Sequence, residues 1–594
     1  MRAHDDADPR DPENSDSDWR PKSDSEASEA HEEMEYEYDD QRPAATFVDQ
    51  PSVVEYLRGL QTHIEHKHSI RATQKVVPGL NPGIIPFDHQ MRAARVIENA
   101  RNTVFKCVLL ADPPGLGKTL SSLIPIYRAK NGRGPSVVVA PLSCCRQLLA
   151  EVERAFGKTL KAALVVGPGM PAARIFESDV IITSYNHVSA EFAKLNHFSG
   201  QVSRYADFKS SKTPVRPHVA LLSGILDMDG AKSLGEYLVL DEAHAVKNTD
   251  SQTYNAVKLL RSRCNTCVML TGTPLDNTWQ DGYGYLSLLE GHPVVSQDFM
   301  LKAFSDWTEG HSKARAQPEA HHVLRLCQLF DAITLRRPES VVHSNLPKMT
   351  TKVVTFDLDQ DSLVKSNFHY KKYIAAVHAA RGNGPQAAWR SSSDIGTSTS
   401  PGAPVGLQRW REALSADGAW RSPRVDVILD LVNQARDIRP DDAIIVSDES
   451  VYFLDIVGIA LDNMYEPLPY FRYDGRMNAA ARDSVLKAFR EAVGARVLLI
   501  SRGTCGQGLN LQCANVVIRC SSWWKTSWDK QVDARVYRPG QTKPVFVYEV
   551  NANDCMVEMH RSVVRTSKDA YTSAIMDSIT RDDDAPLPPA RNIV

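Results

Sequence analysis

A glycine-containing turn directly follows a strongly apolar run of the chain. The run is Val104–Ala111, and the turn that follows it is DPPGLGKT at positions 112–119. A strand, such a turn, and Lys-Thr at the start of a helix form a cradle for phosphate groups, because backbone amides and the helix N-terminus face the anion. We expect Lys118 to reach the β- and γ-phosphates of a nucleotide, and the Thr119 hydroxyl to bind Mg²⁺.

Two prolines reduce the number of amides that this turn can offer. Position 112, where the general pattern has Gly, is Asp, and neither Pro113 nor Pro114 carries a backbone N–H. The phosphate cradle is therefore predicted to use the residues that follow, which are Gly115, Leu116, Gly117, Lys118 and Thr119.

A pair of carboxylates follows another apolar run. Tyr237–Leu240 is strand-like and leads into DEAH, residues 241–244. Asp241 is placed to hold Mg²⁺, and Glu242 to orient and activate the attacking water as general base. An acidic pair at a strand end can instead cap the next helix, but the phosphate turn upstream favours the catalytic interpretation. For His244, a link to the next motif and a local hydrogen bond both stay open.

Alternating apolar and amphipathic segments must position these groups. Runs of strand length are Val104–Ala111, Ser136–Ala140, Ala163–Val166, Val180–Thr183, Tyr237–Leu240 and Cys267–Leu270. Helix-like stretches such as Gln147–Phe156 lie between them, which predicts a parallel sheet covered by helices on both faces. A Gly-, Ser- and Pro-rich segment at 381–406 interrupts the pattern, and the alternation resumes near Val425. The sequence thus predicts an α/β protein with two lobes joined by a linker.

The N-terminal segment has a different composition from the rest. Residues 1–40 contain 16 Asp and Glu but only 4 Arg and Lys, within a chain of formal net charge -3. We predict a disordered, solvated tail at 1–45; an acidic arm that binds histones or competes with DNA is the alternative. The other predicted boundaries are an N-terminal extension at 46–78, lobe one at 79–340, a linker or insertion at 341–423, lobe two at 424–578 and a tail at 579–594.

The cysteines and the hydropathy exclude several classes of protein. The ten cysteines follow no disulfide framework, and the pair Cys264 and Cys267 lacks further zinc ligands nearby. We expect these two thiols to be buried. The sequence has no apolar run of membrane-spanning length and no signal peptide, so we expect a soluble intracellular protein that does not bind membranes.

Four motifs in a fixed order carry a resemblance to a known family. They are DPPGLGKT, DEAHAVKN (241–248), LTGTPLDN (270–277) and QVDARVYRPGQ (531–541), with further matches at PFDHQ (86–90), LRR (335–337), FRYDGRM (471–477) and GQGLNLQCAN (506–515). Over about residues 80–555 the chain resembles the Swi/Snf-like ATPases of helicase superfamily two. The resemblance implies two RecA-like lobes, ATP and Mg²⁺ as cofactors, double-stranded DNA as partner with nucleosomes or DNA-bound proteins as further partners, and a nuclear location.

The resemblance also implies roles for individual residues. Gln90 would read the adenine edge, while Thr271 and Thr273 would couple hydrolysis to movement between the lobes. The segment Gly506–Leu511, which includes Gly508, would bring backbone close to nucleotide and DNA. Arg535 and Arg538 lie three apart on a predicted helix, and both would reach the γ-phosphate as arginine fingers.

Some positions depart from the family pattern. Lys525 and Thr526 follow the Trp pair 523–524 where Asn-Pro is common, and Ala534 replaces an Asp that is displaced to position 533. The Trp pair is similar to that of repair translocases that carry a RING finger. Because residues 338–424 contain no cysteine, a RING finger and ubiquitin-ligase activity are not expected.

These features predict an ATP-dependent translocase on duplex DNA, acting in DNA repair or chromatin maintenance. Three alternatives are an RNA-directed or strand-separating helicase, a nucleotide-switch scaffold with little turnover, and a phosphate-loop ATPase that does not act on nucleic acid. A scaffold need not retain all of the charged groups that are present here, which are Lys118, Asp241, Glu242, Arg535 and Arg538.

Overall fold

The computed structural model describes residues 53–593 apart from short gaps. The residues outside the description are 1–52, 73–75, 133, 168–174, 176, 209–212, 223–233, 276–277, 309, 311–312, 314–315, 319, 344–345, 380–406, 417, 419, 506–508, 523–525 and 594. The predicted acidic tail, the Gly-, Ser- and Pro-rich segment, Gly508 and the Trp pair lie among them.

Within the described ranges, seven parallel strands form the sheet of the first lobe. They are β1 (Cys107–Leu110), β2 (Ser136–Ala140), β3 (Ala162–Val165), β4 (Val180–Ser184), β5 (Tyr237–Asp241), β6 (Thr266–Leu270) and β7 (Thr334–Leu335). Their order is β3-β4-β2-β5-β6-β1-β7. The phosphate turn follows β1 and the acidic pair lies at the end of β5, so both leave the sheet at the same edge.

Helices cover both faces of this sheet. They are α1 (Val53–Ser69), α2 (Asp88–Ala100), α3 (Lys118–Ala129), α4 (Leu142–Phe156), α5 (Tyr185–Phe208), α6 (Gln252–Arg261), α7 (Gly282–Leu286), α8 (Gln297–Phe304), α9 (Ala320–Ile333) and α10 (Ser340–His343). Successive strand residues point to opposite faces. Leu109 and Met269 therefore join the core beneath α1, α6 and α9, while Val108 and Val268 join the core beneath α2, α3 and α4.

Among the residues that the structure describes, the second lobe repeats this plan on a six-stranded parallel sheet. Its strands are β8 (Met349–Phe356), β9 (Ala443–Asp448), β10 (Tyr470–Tyr473), β11 (Arg496–Ser501), β12 (Ala514–Arg519) and β13 (Val545–Ala552), in the order β10-β11-β9-β12-β13-β8. Its helices are α11 (Gln360–Ala379), α12 (Leu407–Ala416), α13 (Pro423–Ile438), α14 (Val451–Asp462), α15 (Ala479–Glu491), α16 (Arg502–Cys505), α17 (Thr526–Val536) and α18 (Met556–Ile579). The predicted α/β fold of two RecA-like lobes is confirmed.

The edge strand β8 comes from a segment that the sequence analysis placed in the linker or insertion. It pairs with β13 along its whole length, from Met349 beside Val545 to Phe356 beside Ala552. Because most of its residues are exposed, β8 lacks the continuous apolar run that marks the inner strands. The second sheet therefore begins well before the resumption of apolar runs near Val425.

The last helix returns from the second lobe to the first. Near its start, Glu558 forms an ion pair with Arg424 of the second lobe, whereas Ile575 and Ile579 near its end are buried in the core of the first lobe. Beyond the helix, Arg591 Nη2 lies 2.7 Å from the buried Asp331 Oδ2 of α9. Residues 580–593, predicted only as a tail, are thus seated on the first lobe.

Two smaller findings complete the fold. Cys264 and Cys267 are both fully buried, as predicted. In the part of the chain that the structure describes, no helix combines the length and apolar character needed to cross a lipid bilayer.

Candidate active site

The phosphate turn adopts a backbone that requires glycine at two positions. Gly115 and Gly117 have φ of 94° and 75°, in the left-handed region that favours glycine. A Cβ on Gly117 would also lie 2.0 Å from Gln90 Nε2. Helix α3 begins at Lys118, immediately after the turn, so its free N-terminal amides face the same space.

Lys118 lies within the turn that it is predicted to serve. Its Nζ donates to the carbonyl oxygens of Asp112 at 2.8 Å and Pro113 at 3.3 Å. Burial lowers the pKa of Lys118, while the negative charges of Glu242, Asp112 and Asp241 oppose the decrease. The two prolines thus offer no amides, but the carbonyl of Pro113 helps to hold the lysine in place.

Asp112 has a structural partner that the sequence analysis did not identify. Its Oδ1 accepts from Arg337 Nε at 2.9 Å and from the Arg337 backbone N–H at 3.0 Å, and both side chains are fully buried. The Asp carboxylate therefore fixes the start of the phosphate turn to the segment that follows β7. The only sequence feature that pointed to Arg337 was the LRR motif at 335–337, and motif spacing does not reveal that Asp112 is its partner.

The acidic pair occupies the end of β5 in an unusual backbone. Asp241 is the last residue of the strand, and Glu242 has φ 51° and ψ 52°, a left-handed conformation that is rare for a residue with a side chain. Burial raises the pKa of Asp241 to about 7, and the neighbouring charge of Glu242 adds to the rise. Tyr185, which sequence reasoning missed, donates from its hydroxyl to the Asp241 carbonyl at 2.8 Å.

The LTGTP turn rests directly on the strand that carries the phosphate turn. The Thr271 N–H donates to the Leu110 carbonyl at 3.2 Å, and Thr271 Oγ1 accepts from the Thr273 N–H at 3.2 Å. Thr271 is fully buried. These contacts join the two motifs inside the first lobe, whereas the predicted coupling role of the two threonines stays a prediction.

One of the two predicted arginine fingers reaches across the cleft. Arg535 Nη2 of the second lobe lies 3.6 Å from Glu242 Oε1, and His244 Nδ1 lies 3.4 Å from Glu242 Oε2. The structure therefore brings Lys118, Asp241, Glu242 and Arg535 together. The charges of Asp241, Glu242 and Arg535 are all close enough to shift the pKa of Lys118.

Arg538 does not share the helix of Arg535, contrary to the prediction. Helix α17 ends at Val536, because Arg538 precedes Pro539 and a residue before proline is disfavoured in the helical region. Arg538 Nη1 instead donates to the Leu509 carbonyl at 3.4 Å. The displaced Asp533 pairs with Arg519 of β12 and so has a structural partner.

Gln90 is in contact with the phosphate turn. Its Oε1 accepts from the Phe87 N–H at 3.0 Å, and its Nε2 donates to the Leu116 carbonyl at 3.3 Å. These bonds place Gln90 beside the nucleotide cradle, and adenine recognition stays a prediction.

Comparison with known proteins identifies the family. The SNF2-related domain matches residues 89–389, and the helicase conserved C-terminal domain matches residues 424–540. The chain belongs to the SNF2-related family. This SNF2-related chain accordingly carries ATPase domains of the Snf2-like helicase type, which use ATP.

Its relatives include bacterial and plant proteins. The SNF2-related chain is 24% identical over 79% of its length to an uncharacterized ATP-dependent helicase of Mycoplasma pneumoniae, and 25% identical over 82% of its length to an ISWI chromatin-remodeling complex ATPase of Arabidopsis thaliana. It spans 40% and 41% of the length of these two proteins. A solved SWI2/SNF2 ATPase core of Sulfolobus solfataricus in complex with dsDNA shares 20% identity at a TM-score of 0.36, covering 85% of this chain and 97% of that chain.

Proposed function

We propose that this protein is an ATP-dependent translocase that couples ATP hydrolysis to movement along duplex DNA. The observation that carries the proposal is the 3.6 Å approach of Arg535 in the second lobe to Glu242 in the first. An ATP site assembled from both lobes makes hydrolysis depend on their closure, and closure depend on the nucleotide.

The residues support a divalent cation beside the ATP phosphates. Thr119, at the start of α3, and Asp241, at the end of β5, lie close together, since both border one small and mainly apolar cavity of about 10 Å³. A buried carboxylate whose pKa is raised by burial and by a second carboxylate is stabilised in its ionised form by a nearby cation. Thr119 and Asp241 would hold Mg²⁺, which would neutralise phosphate charge as a Lewis acid.

The side chains of the chain then perform distinct tasks. Lys118 exchanges its contacts with the Asp112 and Pro113 carbonyls for the β- and γ-phosphates of ATP. Glu242 accepts a proton from the attacking water as it adds to the γ-phosphorus and the bond to ADP breaks. Arg535 moves from Glu242 to the γ-phosphate and stabilises the charge that develops there. Release of phosphate removes the group that joined the lobes, so the cleft reopens.

Duplex DNA is the proposed substrate along which the protein moves. The proposal rests on family membership and on the relatives named as chromatin-remodelling ATPases. Contacts to the phosphate backbone predict weak sequence preference and an affinity that falls steeply with salt. Nucleosomes or DNA-bound proteins are the proposed further partners. The proposed biological role is DNA repair or chromatin maintenance. Nuclear localisation is part of the same proposal. Its support is the plant relative, an ISWI chromatin-remodeling complex ATPase, whereas another relative comes from a Mycoplasma.

ATP hydrolysis by the purified protein tests the proposal, alone and with duplex DNA, single-stranded DNA or RNA. We expect stimulation chiefly by duplex DNA. Glu242→Gln should lower kcat by about 10²–10⁴-fold while ATP still binds, and Lys118→Ala should abolish turnover. Arg128→Ala, near the far end of α3 and paired with Glu98 at 2.8 Å, is the matched control. Stimulation chiefly by RNA would support an RNA-directed helicase instead, and no turnover with any nucleic acid would support the scaffold.

Movement itself needs a separate measurement. Displacement of a triplex-forming oligonucleotide from duplex DNA reports translocation without strand separation. Displacement that requires ATP and is lost in Glu242→Gln would support the proposal. Stimulated hydrolysis without displacement would contradict it.

A further inference from the structure

The C-terminal end of α18 contacts an arginine of the first lobe. Arg336 Nε donates to Thr580 Oγ1 at 3.1 Å, and the Arg581 N–H donates to the Arg336 carbonyl at 3.0 Å. Thr580 caps the end of α18, where the free carbonyl groups carry partial negative charge. The end of this helix is therefore a favourable place for a guanidinium group.

The other side of the same guanidinium faces the ATP site. Arg336 Nη1 donates to the Gly272 carbonyl at 3.2 Å and also to the Ala111 carbonyl. Ala111 immediately precedes the phosphate turn, and Gly272 lies between Thr271 and Thr273 of the LTGTP turn. One planar, multidentate side chain thus joins three segments that are far apart in the sequence.

Arg336 depends on these partners because it is partly buried and has limited access to water. Burial lowers the pKa of Arg336, and the negative charges of Asp112, Glu339 and Asp577 oppose the decrease. Asp577 belongs to α18, so the helix supplies a nearby charge as well as the Thr580 hydroxyl. Without that hydroxyl the partly buried Nε–H would lose its acceptor, which favours rotation of the guanidinium away from the ATP site.

The segment that holds Arg336 is firmly seated at other points. Ile575 and Ile579 pack in the first-lobe core, and Asp331 Oδ2 accepts from Arg591 Nη2 at 2.7 Å. Farther along, Arg325 Nε donates to the Ile593 carbonyl at 3.1 Å. The Arg325 bond anchors the same segment by a single hydrogen bond but involves neither the phosphate turn nor the LTGTP turn, so it provides a matched control.

We propose that Arg336 is a positioning residue for the ATP site, held in place by the C-terminal end of α18. The guanidinium keeps the phosphate turn and the LTGTP turn in register by binding a carbonyl of each. Since α18 begins in the second lobe, that lobe contacts the ATP site through Thr580 and Arg336 as well as through Arg535 and Glu242. The inference rests on the proposed function in so far as it concerns ATP turnover.

A double-mutant cycle on ATP hydrolysis tests this role. A small displacement of the phosphate turn lowers kcat more than it raises KM, so we expect Arg336→Ala to lower kcat by about 10- to 100-fold. Thr580→Val keeps the side-chain shape but removes the acceptor, and should lower kcat by a smaller factor. The double variant should be no slower than Arg336→Ala alone, because both changes break one linkage.

Two further variants separate positioning from general destabilisation. In the Arg336→Lys background, which has no Nε, Thr580→Val should leave kcat unchanged. Arg325→Ala should also leave kcat unchanged although it removes a contact of the same segment. Additive losses in the cycle, or an equal loss of kcat in Arg325→Ala, would overturn the proposal.

The cycle is run with and without duplex DNA. Absence of DNA stimulation in the unaltered protein would count against the proposed translocase, and the cycle would still be measured on basal hydrolysis. Coupling between Arg336 and Thr580 in basal hydrolysis would then support the positioning role by itself, and additivity there would exclude it.

Discussion

Arg535 Nη2 and Glu242 Oε1 lie 3.6 Å apart although the two residues belong to different lobes. Arg538, only three positions along the chain, instead donates to the Leu509 carbonyl of its own lobe at 3.4 Å. Arg535 and Arg538 therefore have different surroundings. Arg535 is directed at Glu242, the proposed general base, and Arg538 is held by a backbone carbonyl.

This difference predicts unequal losses of activity. Arg535→Ala should lower kcat by about 10³–10⁵-fold, the range for an arginine finger, and Arg538→Ala should lower it much less. Steady-state hydrolysis at saturating ATP and duplex DNA measures both variants, with melting temperature as the control for folding. A larger loss in Arg538→Ala would show that the second arginine is the one that reaches the γ-phosphate.

The raised pKa of Asp241 predicts a pH-dependent competition between proton and Mg²⁺. Its ordinary value is 3.8 and burial raises the pKa to about 7, so the folded, metal-free protein holds this proton more tightly than the unfolded chain does. The stabilisation from Asp241 is complete below about pH 4 and is lost as pH rises through 7. Mg²⁺ should restore it above pH 7.

Thermal unfolding with EDTA or Mg²⁺, from pH 5 to pH 8, measures this effect. We expect the stabilisation by Mg²⁺ to increase with pH in the unaltered protein and to be independent of pH in Asp241→Asn. Equal pH dependence in both proteins would contradict the assignment of Asp241 as a metal ligand.

The buried pair of Asp112 and Arg337 predicts a large stability effect. Asp112→Asn leaves the fully buried Arg337 without its counter-charge, and loss of one partner of such a pair costs about 3–5 kcal/mol. Denaturant unfolding of the first lobe measures the change. Lys106→Ala is the control, because the Lys106–Glu290 pair at 3.5 Å is exposed and contributes less than about 1 kcal/mol. A similar small effect in both variants would contradict the structural role of Asp112.

The inner strands were predictable from the sequence because they are buried on both faces. Val137–Val139 in β2 and Leu238–Leu240 in β5 form continuous apolar runs, and both strands were predicted. The edge strand β8 was not, because its exposed residues such as Thr350 and Lys352 break that pattern. The two residues of β7 are too few to show any periodicity.

The residues proposed to be catalytic were identified from local motifs, but their long-range partners were not. The spacing of DPPGLGKT and DEAH is sufficient to propose Lys118 and Glu242. By contrast, the contact between Arg337 and Asp112 joins positions 225 residues apart, and that between Arg336 and Thr580 joins positions 244 residues apart. Such pairs depend on the topology of the sheet and on the return of α18, which no local pattern specifies.

The position of β8 has a consequence for how the chain can be extended. Residues 336–348 alone connect the sheets at this point, since β7 ends at Leu335 and β8 begins at Met349. The Gly-, Ser- and Pro-rich segment comes later, between α11 and α12. Its length therefore does not affect the connection between the lobes, and a domain inserted there would move with the second lobe without lengthening that connection.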